Sequence, residues 1–371
     1  MAHVQRRKLA SGRPSYRVRY IDPTGKEVSR SFTRRVDADS FAAEVGHSIR
    51  AGTYIEPGAG RLTVQAYLED WLDQQAHLRP RSRASYTTSF RTMVYPHLGQ
   101  IPIGHVKPST LRKWQTALVQ DYADGTIKRV RGVVSGAFND AVADRLIPSS
   151  PFVGVKSTRV QRERVIPLSV EQVNAGRAAM PVRYREMITV AAGTGLRYSE
   201  LVGLTVDRID FLRREIKVDR QLAGRAARAP VFGPPKSRAS IRTVPIGATV
   251  LDALARHLAK YPGGPGDLVF RTSQGTPLTR TVFGRAWKPA AAAMGLPHGK
   301  GPHQLRHFYA SLLIAAGLSV PEVQERMGHA SAQETLETYA HLWPGREDNT
   351  RAAVDEAFAS ARSAAAANGP A

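Results

Sequence analysis

The alternation of apolar and polar positions divides the chain into stretches of different period. Near the start, Ser15-Tyr16-Arg17-Val18-Arg19-Tyr20-Ile21 repeats every second residue, as a strand does. Asp22-Pro23-Thr24-Gly25 supplies turn chemistry after it, and Glu27–Phe32 reads as the returning strand. Residues 36–50 are alanine-rich with apolar side chains at helical spacing, so the first segment is expected to be a small sheet with one helix. From about 62 to 150 the period is helical throughout. Tyr67, Leu68, Trp71 and Leu72 form one apolar stripe in a helix reaching about Gln75. Further helices are predicted over 82–94, 108–119 and 124–145, the second opened by Pro108, a residue suited to a first helical turn. The stretch from Pro148 to Pro167 holds three prolines and several basic residues with little periodicity, and residues 151–166 within it read as an extended linker.

Beyond it the pattern is mixed. Strands are predicted over 209–221 and 240–246, with Gly233-Pro234-Pro235-Lys236 at a turn between them. Helices are predicted over 281–294, 302–316, 320–327 and 332–342, and an alanine-rich helix from about 350 fades into a polar tail. The expected fold is multidomain and mostly α with small β elements. Its segments are 1–60, 61–150, a linker over 151–166, 167–345 and a C-terminal helix and tail over 346–371. No internal repeat is visible.

Charge changes this picture. Lys and Arg total 53 against 31 Asp and Glu, a net charge of +22, and such a field attracts polyanions, nucleic acid foremost. An anionic membrane surface or an acidic protein would also answer to it. Residues 1–35 alone carry ten Lys/Arg against the two acids Asp22 and Glu27, and Arg17, Arg19 and Arg30 stand along the strands themselves. In the helical segment Arg79, Arg81, Arg83, Lys128, Arg129 and Arg131 sit near helix starts or on polar faces, where they would serve either as a solvated surface or to grip a phosphate backbone. The chain has no cysteine, which excludes disulfides, thiolate metal sites and a cysteine nucleophile. Neither a secretory leader nor a run of eighteen apolar residues occurs, so a cytoplasmic, nucleoid-associated protein is expected.

Four strings carry candidate chemistry. Gly193-Thr194-Gly195-Leu196-Arg197-Tyr198-Ser199-Glu200 is a glycine-flanked turn running into a helix, which places Arg197 where a phosphate sits naturally. His303-Gln304-Leu305-Arg306-His307 opens a helix after Pro302, with His303 and Arg306 sharing a face. Met327-Gly328-His329 is followed ten residues later by Thr338-Tyr339-Ala340-His341. Lys236 lies in the basic turn Pro235-Lys236-Ser237-Arg238, with Arg238 and Arg242 close by in the same hairpin. Alone, each string has a plain structural reading: an exposed Arg–Glu pair, an aromatic anchor, a solvated lysine. His303 and His307 also stand four apart, a spacing that can hold zinc, but no Glu follows His303 and no third ligand presents itself.

In this order, and within about 145 residues, the strings resemble the tyrosine recombinases, or phage-type integrases. Their catalytic domain carries an arginine followed by an acid, a hairpin lysine, a His-x-x-Arg box, a Gly-His and a late tyrosine. The matching positions are Arg197 with Glu200, Lys236, His303 with Arg306, Gly328 with His329, and Tyr339. Leu98-Gly99-Gln100-Ile101-Pro102-Ile103 and Pro108 look like the family's core-site-binding helical domain, and the basic hairpin with its helix looks like its arm-site-binding domain. The resemblance implies a mixed α+β catalytic domain that cuts and rejoins DNA through a 3′-phosphotyrosyl intermediate. Tyr339 would be the nucleophile, Arg197 and Arg306 the phosphate clamp, and Lys236 the general acid. His303 would be the base or a second phosphate donor, His329 a further phosphate ligand, and Glu200 the residue that orients Arg197 or a histidine.

The chemistry stands without the family. Attack on a phosphodiester adds negative charge to its nonbridging oxygens, and two arginines with two imidazoles supply preorganised stabilisation. A phenol of pKa near 10 is a poor nucleophile at neutral pH and needs a cationic surrounding or a base. The ester retains the bond energy, so neither metal nor ATP is expected; no Gly-x-x-x-x-Gly-Lys-Ser/Thr loop occurs. Expected partners are double-stranded DNA with specific sites, further copies of the chain forming a tetramer on two duplexes, and accessory DNA-bending or directionality proteins. The rivals are a type IB topoisomerase-like enzyme and a non-catalytic DNA-binding regulator. By resemblance the helix over about 350–363 would pack on a neighbouring protomer, though docking within its own chain fits the sequence equally.

Overall fold

The structure, a computed structural model, describes residues 2–8, 13–157, 164–226, 229–235, 237–343, 351 and 354–359. The chain divides into two compact units, Met1–Arg162 and Glu163–Ala371.

The first unit opens with an antiparallel sheet of β1 (His3–Lys8), β2 (Pro14–Ile21) and β3 (Glu27–Phe32), covered by α1 (Arg35–Arg50). The β2–β3 turn is fixed by the Asp22 carboxylate, which accepts the Thr24 and Lys26 amides, both at 2.9 Å. Val18 and Tyr20 are buried with Ala38 and Val45, while Arg17 and Arg19 point the other way, because successive strand residues face opposite sides. The pairing sets Arg17 across from Gln5 and Ser31 and Arg19 across from His3 and Ser29.

A separate helical core follows, built from α2 (Val64–Gln74), α3 (Pro80–Ser89), α4 (Tyr95–Leu98), α5 (Pro108–Leu118) and α6 (Asp124–Ala143). The helix expected over 82–94 starts at Pro80 and widens into a π turn over Phe90–Val94. Pro96 explains the widening: it has no N–H for the regular ladder, and the loose turn before it absorbs the mismatch. Trp114, Phe138, Leu68 and Ile127 fill the centre, and the two polar aromatic tips are satisfied on backbone carbonyls. Trp114 Nε1 donates to Met93 at 2.7 Å and the Tyr67 hydroxyl to Ala137 at 2.8 Å. Phe152 and Val155 belong to this core, so the expected linker is packed at its first end, and near its last end Val165 packs against a small apolar cluster of the second unit. Residues 158–163 of it lie outside the described residues.

The second unit contains α7 (Val170–Ala179), α8 (Arg185–Thr194), α9 (Tyr198–Leu201), β4 (Ile209–Asp210), β5 (Glu215–Val218), β6 (Gln221–Ala226), β7 (Ala229–Gly233), β8 (Arg242–Pro245), α10 (Ala248–Lys260), α11 (Arg280–Ala293), α12 (His303–Ala315), α13 (Val320–Met327) and α14 (Ala332–Tyr339). The single strand expected over 209–221 is instead β4, a tight turn, β5 and the start of β6. Asp210 makes that turn by accepting the Leu212 and Arg213 amides at 3.0 and 2.8 Å, and Arg214 takes a left-handed φ of 55°. The sheet order is β4-β5-β8, with β6 and β7 forming a separate hairpin. Helix α12 joins two apolar clusters: Leu305 and Phe308 face the main core, and Tyr309, Ala310 and Ile314 face a smaller one with Val323, Met327 and Tyr339. Of the helix expected from 350, Arg351 and residues 354–359 are described and helical; the rest lies outside the described residues. Among the described residues no helix is long and apolar enough to cross a membrane.

Candidate active site

Two helix ends form the floor of the site. Helix α8 stops at Gly195 and α13 at Gly328, both left-handed, with φ of 62° and 64°. Only glycine fits at 195 for a second reason: a Cβ there would stand 2.4 Å from the Tyr309 ring. Carbonyls at a helix C-terminus lack intrahelical partners and carry partial negative charge, so they are natural seats for cations. Arg306, only 2% exposed, donates Nη1–H to the Gly195 carbonyl at 2.6 Å and Nη2–H to that of Met327 at 2.5 Å. Arg197 donates Nη2–H to the Gly328 carbonyl at 2.7 Å. Arg306 is thereby fixed by backbone carbonyls, and Arg197 is anchored by one of them as well. Burial, then Arg197 and Arg242, lower the Arg306 pKa, though the group stays charged at neutral pH.

Behind Arg197 lies one shared carboxylate. Glu200 accepts the Arg197 backbone amide and Nη1–H, each at 3.0 Å, and the Arg242 Nη2–H at 3.1 Å. Arg242 is itself held by the carbonyls of Arg326 at 2.9 Å and Ser240 at 3.1 Å, while the Ser240 hydroxyl accepts from Arg197 at 3.0 Å. Burial alone would raise the Glu200 carboxyl, but Arg242 and Arg197 outweigh it and hold the group below the usual carboxylate range. The sequence shows Arg242 only as a further cation near Lys236; the structure buries it as the inner end of an Arg197–Glu200–Arg242 chain.

The tyrosine and three histidines complete the cluster. Tyr339, at the end of α14, is 1% exposed, and burial pushes its hydroxyl up to about 12, with Arg306 pulling the other way. Its hydroxyl meets His307 Nδ1 at 2.8 Å. The His329 ring stacks on it with centroids 6.3 Å apart and planes 12° from parallel, and His329 Nδ1 meets the Thr335 hydroxyl at 2.8 Å. Burial and then Arg306 push His329 down to about 4 against the pull of Glu334. His303 is exposed at the rim of the cluster, edge-on to His307 at 4.7 Å, and desolvation of its ring by the packed groups around it, then Arg306 and Arg197, push it down to about 4.

Arg197, Glu200, His303, Arg306, His329 and Tyr339 are thus brought into one cluster from the start of α9, from α12, from the turn after α13 and from α14, residues up to 142 apart in the chain. Lys236 lies outside the described residues. His307 enters the cluster although the sequence considers it only for zinc; its signal was its place one helical turn after His303. Among the described residues no group of three or more His, Asp or Glu is placed to hold a metal ion.

The basic residues of the first unit divide by environment. Arg17 is hydrogen-bonded to Ser29 and Arg19 is paired with Glu27, both on the open face of the sheet. Arg30 is on the other face, its guanidinium 5.3 Å from the Phe32 ring centre and 5.0 Å from that of Phe41. Arg81 and Lys128 are exposed and Arg79 caps α3. Arg129 reaches the Ser85 hydroxyl at 3.1 Å, and Arg83 pairs with Asp73 at 2.8 Å. Arg131 is turned inward, bonded to the Val155 carbonyl and lying over the Phe152 ring.

The model of the phage integrase family matches residues 157–346, about half of the chain. The chain belongs to this family. It is a tyrosine recombinase, and the preceding part, residues 64–157, matches the phage integrase central domain. Among its relatives, the integrase of Mycobacterium phage D29 is 26% identical over 330 residues, 86% of this chain and 85% of that protein. A putative prophage phiRv2 integrase of Mycobacterium tuberculosis is 26% identical over 357 residues, 92% of each chain. The solved Tn1549 transposon integrase, in complex with transposon right end DNA, superposes with a TM-score of 0.68 at 25% identity, over 80% of this chain and all of that one. A lambda integrase dimer bound to a COC′ core site shares the fold, with a TM-score of 0.59 at 17% identity over 92% of this recombinase and 95% of that chain.

Proposed function

We propose that this recombinase integrates and excises a mobile element by transesterification at DNA phosphodiesters, with Tyr339 as the nucleophile. The observation that carries the reading is a buried phenol in the field of Arg306, whose guanidinium, like that of Arg197, is held by helix-end carbonyls. The scissile phosphate enters past His303, the solvent-open member of the cluster. Arg197 and Arg306 then hold its nonbridging oxygens and stabilise the charge that grows there in the transition state. His329, fixed through Nδ1 by Thr335, offers Nε2–H as a further donor. Attack by the Tyr339 oxygen forms a 3′-phosphotyrosyl ester and releases the 5′-oxygen, which Lys236 protonates as general acid. The reverse attack by a 5′-hydroxyl from a second duplex rejoins the strand, with no metal or ATP.

The sequence divisions carry over as assignments: 1–60 for arm-type DNA sites, 61–150 for core sites, 167–345 for chemistry, and a tetramer on two duplexes as the working assembly in the cytoplasm. Net charge of +22 and the open basic face of the sheet support DNA as the partner. The deciding experiment uses a duplex nicked near the cleavage site, so that the released end diffuses away and the protein stays attached. The wild-type chain should form a covalent adduct whose DNA maps to the Tyr339 peptide, and Tyr339→Phe should bind the same DNA without forming it. An adduct surviving in Tyr339→Phe, or no adduct with any nicked site from the element's ends, would remove the reading.

A further inference from the structure

The nucleophile's proton has to go somewhere, and the geometry around Tyr339 narrows the choice. Arg306 has only donors. The His329 ring lies nearly parallel to that of Tyr339, so its nitrogen lone pairs, which lie in the ring plane, point along the phenol rather than at it. Its Nδ1 is also engaged by Thr335. His307 differs on both counts. Its ring stands at 65° to the Tyr339 ring, and its Nδ1 is 2.8 Å from the hydroxyl oxygen, within the range of a strong hydrogen bond.

We propose that His307 is a catalytic residue of this recombinase, accepting the Tyr339 proton at Nδ1 during strand cleavage and returning it during rejoining. In the resting chain His307 carries its own proton on Nε2 and accepts the O–H of Tyr339. As the Tyr339 oxygen bonds to phosphorus, the O–H bond breaks, Nδ1–H forms and the P–O5′ bond opens, the 5′-oxygen taking its proton from the separate general acid. When a 5′-hydroxyl attacks the phosphotyrosyl ester, its proton returns to the deprotonated general acid, the P–O bond to tyrosine breaks and the tyrosine oxygen recovers the proton from His307.

The electrostatics fit a site that waits for DNA. Burial, followed by His303, Arg306, His329 and Lys300, pushes His307 down to about 4, so its lone pair is free at neutral pH. With Tyr339 pushed up to about 12, the resting pair is neutral phenol and neutral imidazole. An entering phosphate supplies the negative charge that favours an imidazolium here, so the base gains strength only when substrate is bound.

This inference rests on Tyr339 being the nucleophile, and the test separates the two. Full-length His307→Ala and His307→Asn are compared with wild type in single-turnover adduct formation on the nicked duplex, with DNA binding measured alongside. Asparagine keeps a hydrogen-bonding group near the Nδ1 position without its basicity. Both variants should bind DNA normally and cleave about 100-fold more slowly, the scale of general-base loss. Replacing the bridging 5′-oxygen with sulfur, which leaves without a proton, should not restore either variant. Added imidazole should restore part of the His307→Ala rate. A His307→Asn rate within about threefold of wild type, recovery with the sulfur substrate, or no response to imidazole each overturns the proposal. A wild-type chain that forms no adduct fails the earlier reading instead.

Discussion

Arginine does opposite things in two regions of this molecule. In the second unit Arg197, Arg242 and Arg306 are withdrawn from water and fixed by carbonyls of Gly195, Ser240, Arg326, Met327 and Gly328. In the first unit Arg17 and Arg19 lie on the open face of a three-stranded sheet, bonded to one serine and one glutamate. The buried set has already lost its hydration and rotamer freedom before any phosphate arrives, so its charge acts with little reorganisation. The surface set keeps its water and acts through a field that salt screens. The first arrangement is built for rate and the second for affinity.

The sharpest way to break this contrast is Arg306→Met, which keeps length and removes charge. Cleavage should fall about 10³-fold or more, the scale of losing a preorganised donor to the developing charge. Thermal stability should hold or rise. Among the described residues no carboxylate bonds Arg306 directly, and an uncompensated buried charge costs several kcal/mol, against about 1–3 kcal/mol for each carbonyl left without a donor. Calorimetry beside the single-turnover assay checks both halves. A variant that melts well below wild type would show that the guanidinium is structural cement rather than a stored catalytic charge.

Glu200→Gln should behave the other way. The amide keeps the shape but removes the one negative charge shared by Arg197 and Arg242, leaving a buried cation beside a half-buried one. Breaking a buried ion pair costs about 3–5 kcal/mol, so the melting temperature should drop clearly while cleavage falls less than for Arg306→Met. Equal melting of Glu200→Gln and wild type would mean that the carbonyls alone balance the arginines.

Much of this site was legible in the sequence because its parts are strings. Gly195 and Gly328 announce turns, His303 and Arg306 share a helix face by spacing, and the late Tyr339 follows His329 at short range. The rest was hidden for physical reasons. Backbone carbonyls have no letter, so the seats of Arg197 and Arg306 could not be read. The His307–Tyr339 bond joins residues 32 apart, brought together because α14 packs on α13 and α13 on α12. The β4–β5 turn has neither Gly nor Pro at its centre, Asp210 doing their job with its side chain. Strand identity was readable in β2 and β3, but the faces depend on register, and one residue of slip exchanges them.

Arg17 and Arg30 sharpen that last point, with the smallest expected effect. Both stand on adjacent strands of one basic sheet, yet the observed register pairs Arg17 with Ser31 and Val18 with Arg30, which puts the two arginines on opposite faces. Arg17→Ala should weaken binding to nonspecific duplex DNA by about 1 kcal/mol or less and make the slope of log K against log salt shallower by about one, as expected for a lost phosphate contact. Arg30→Ala should leave that slope unchanged, because its guanidinium lies over Phe32 and Phe41 on the helix side. Its cost should appear instead as about 0.5–1 kcal/mol of lost stability in the sheet. Titrations of both variants over a range of salt concentrations decide it. Equal changes in slope would mean that both faces meet DNA, and that the division between buried and surface arginines fails in the small sheet where it looked simplest.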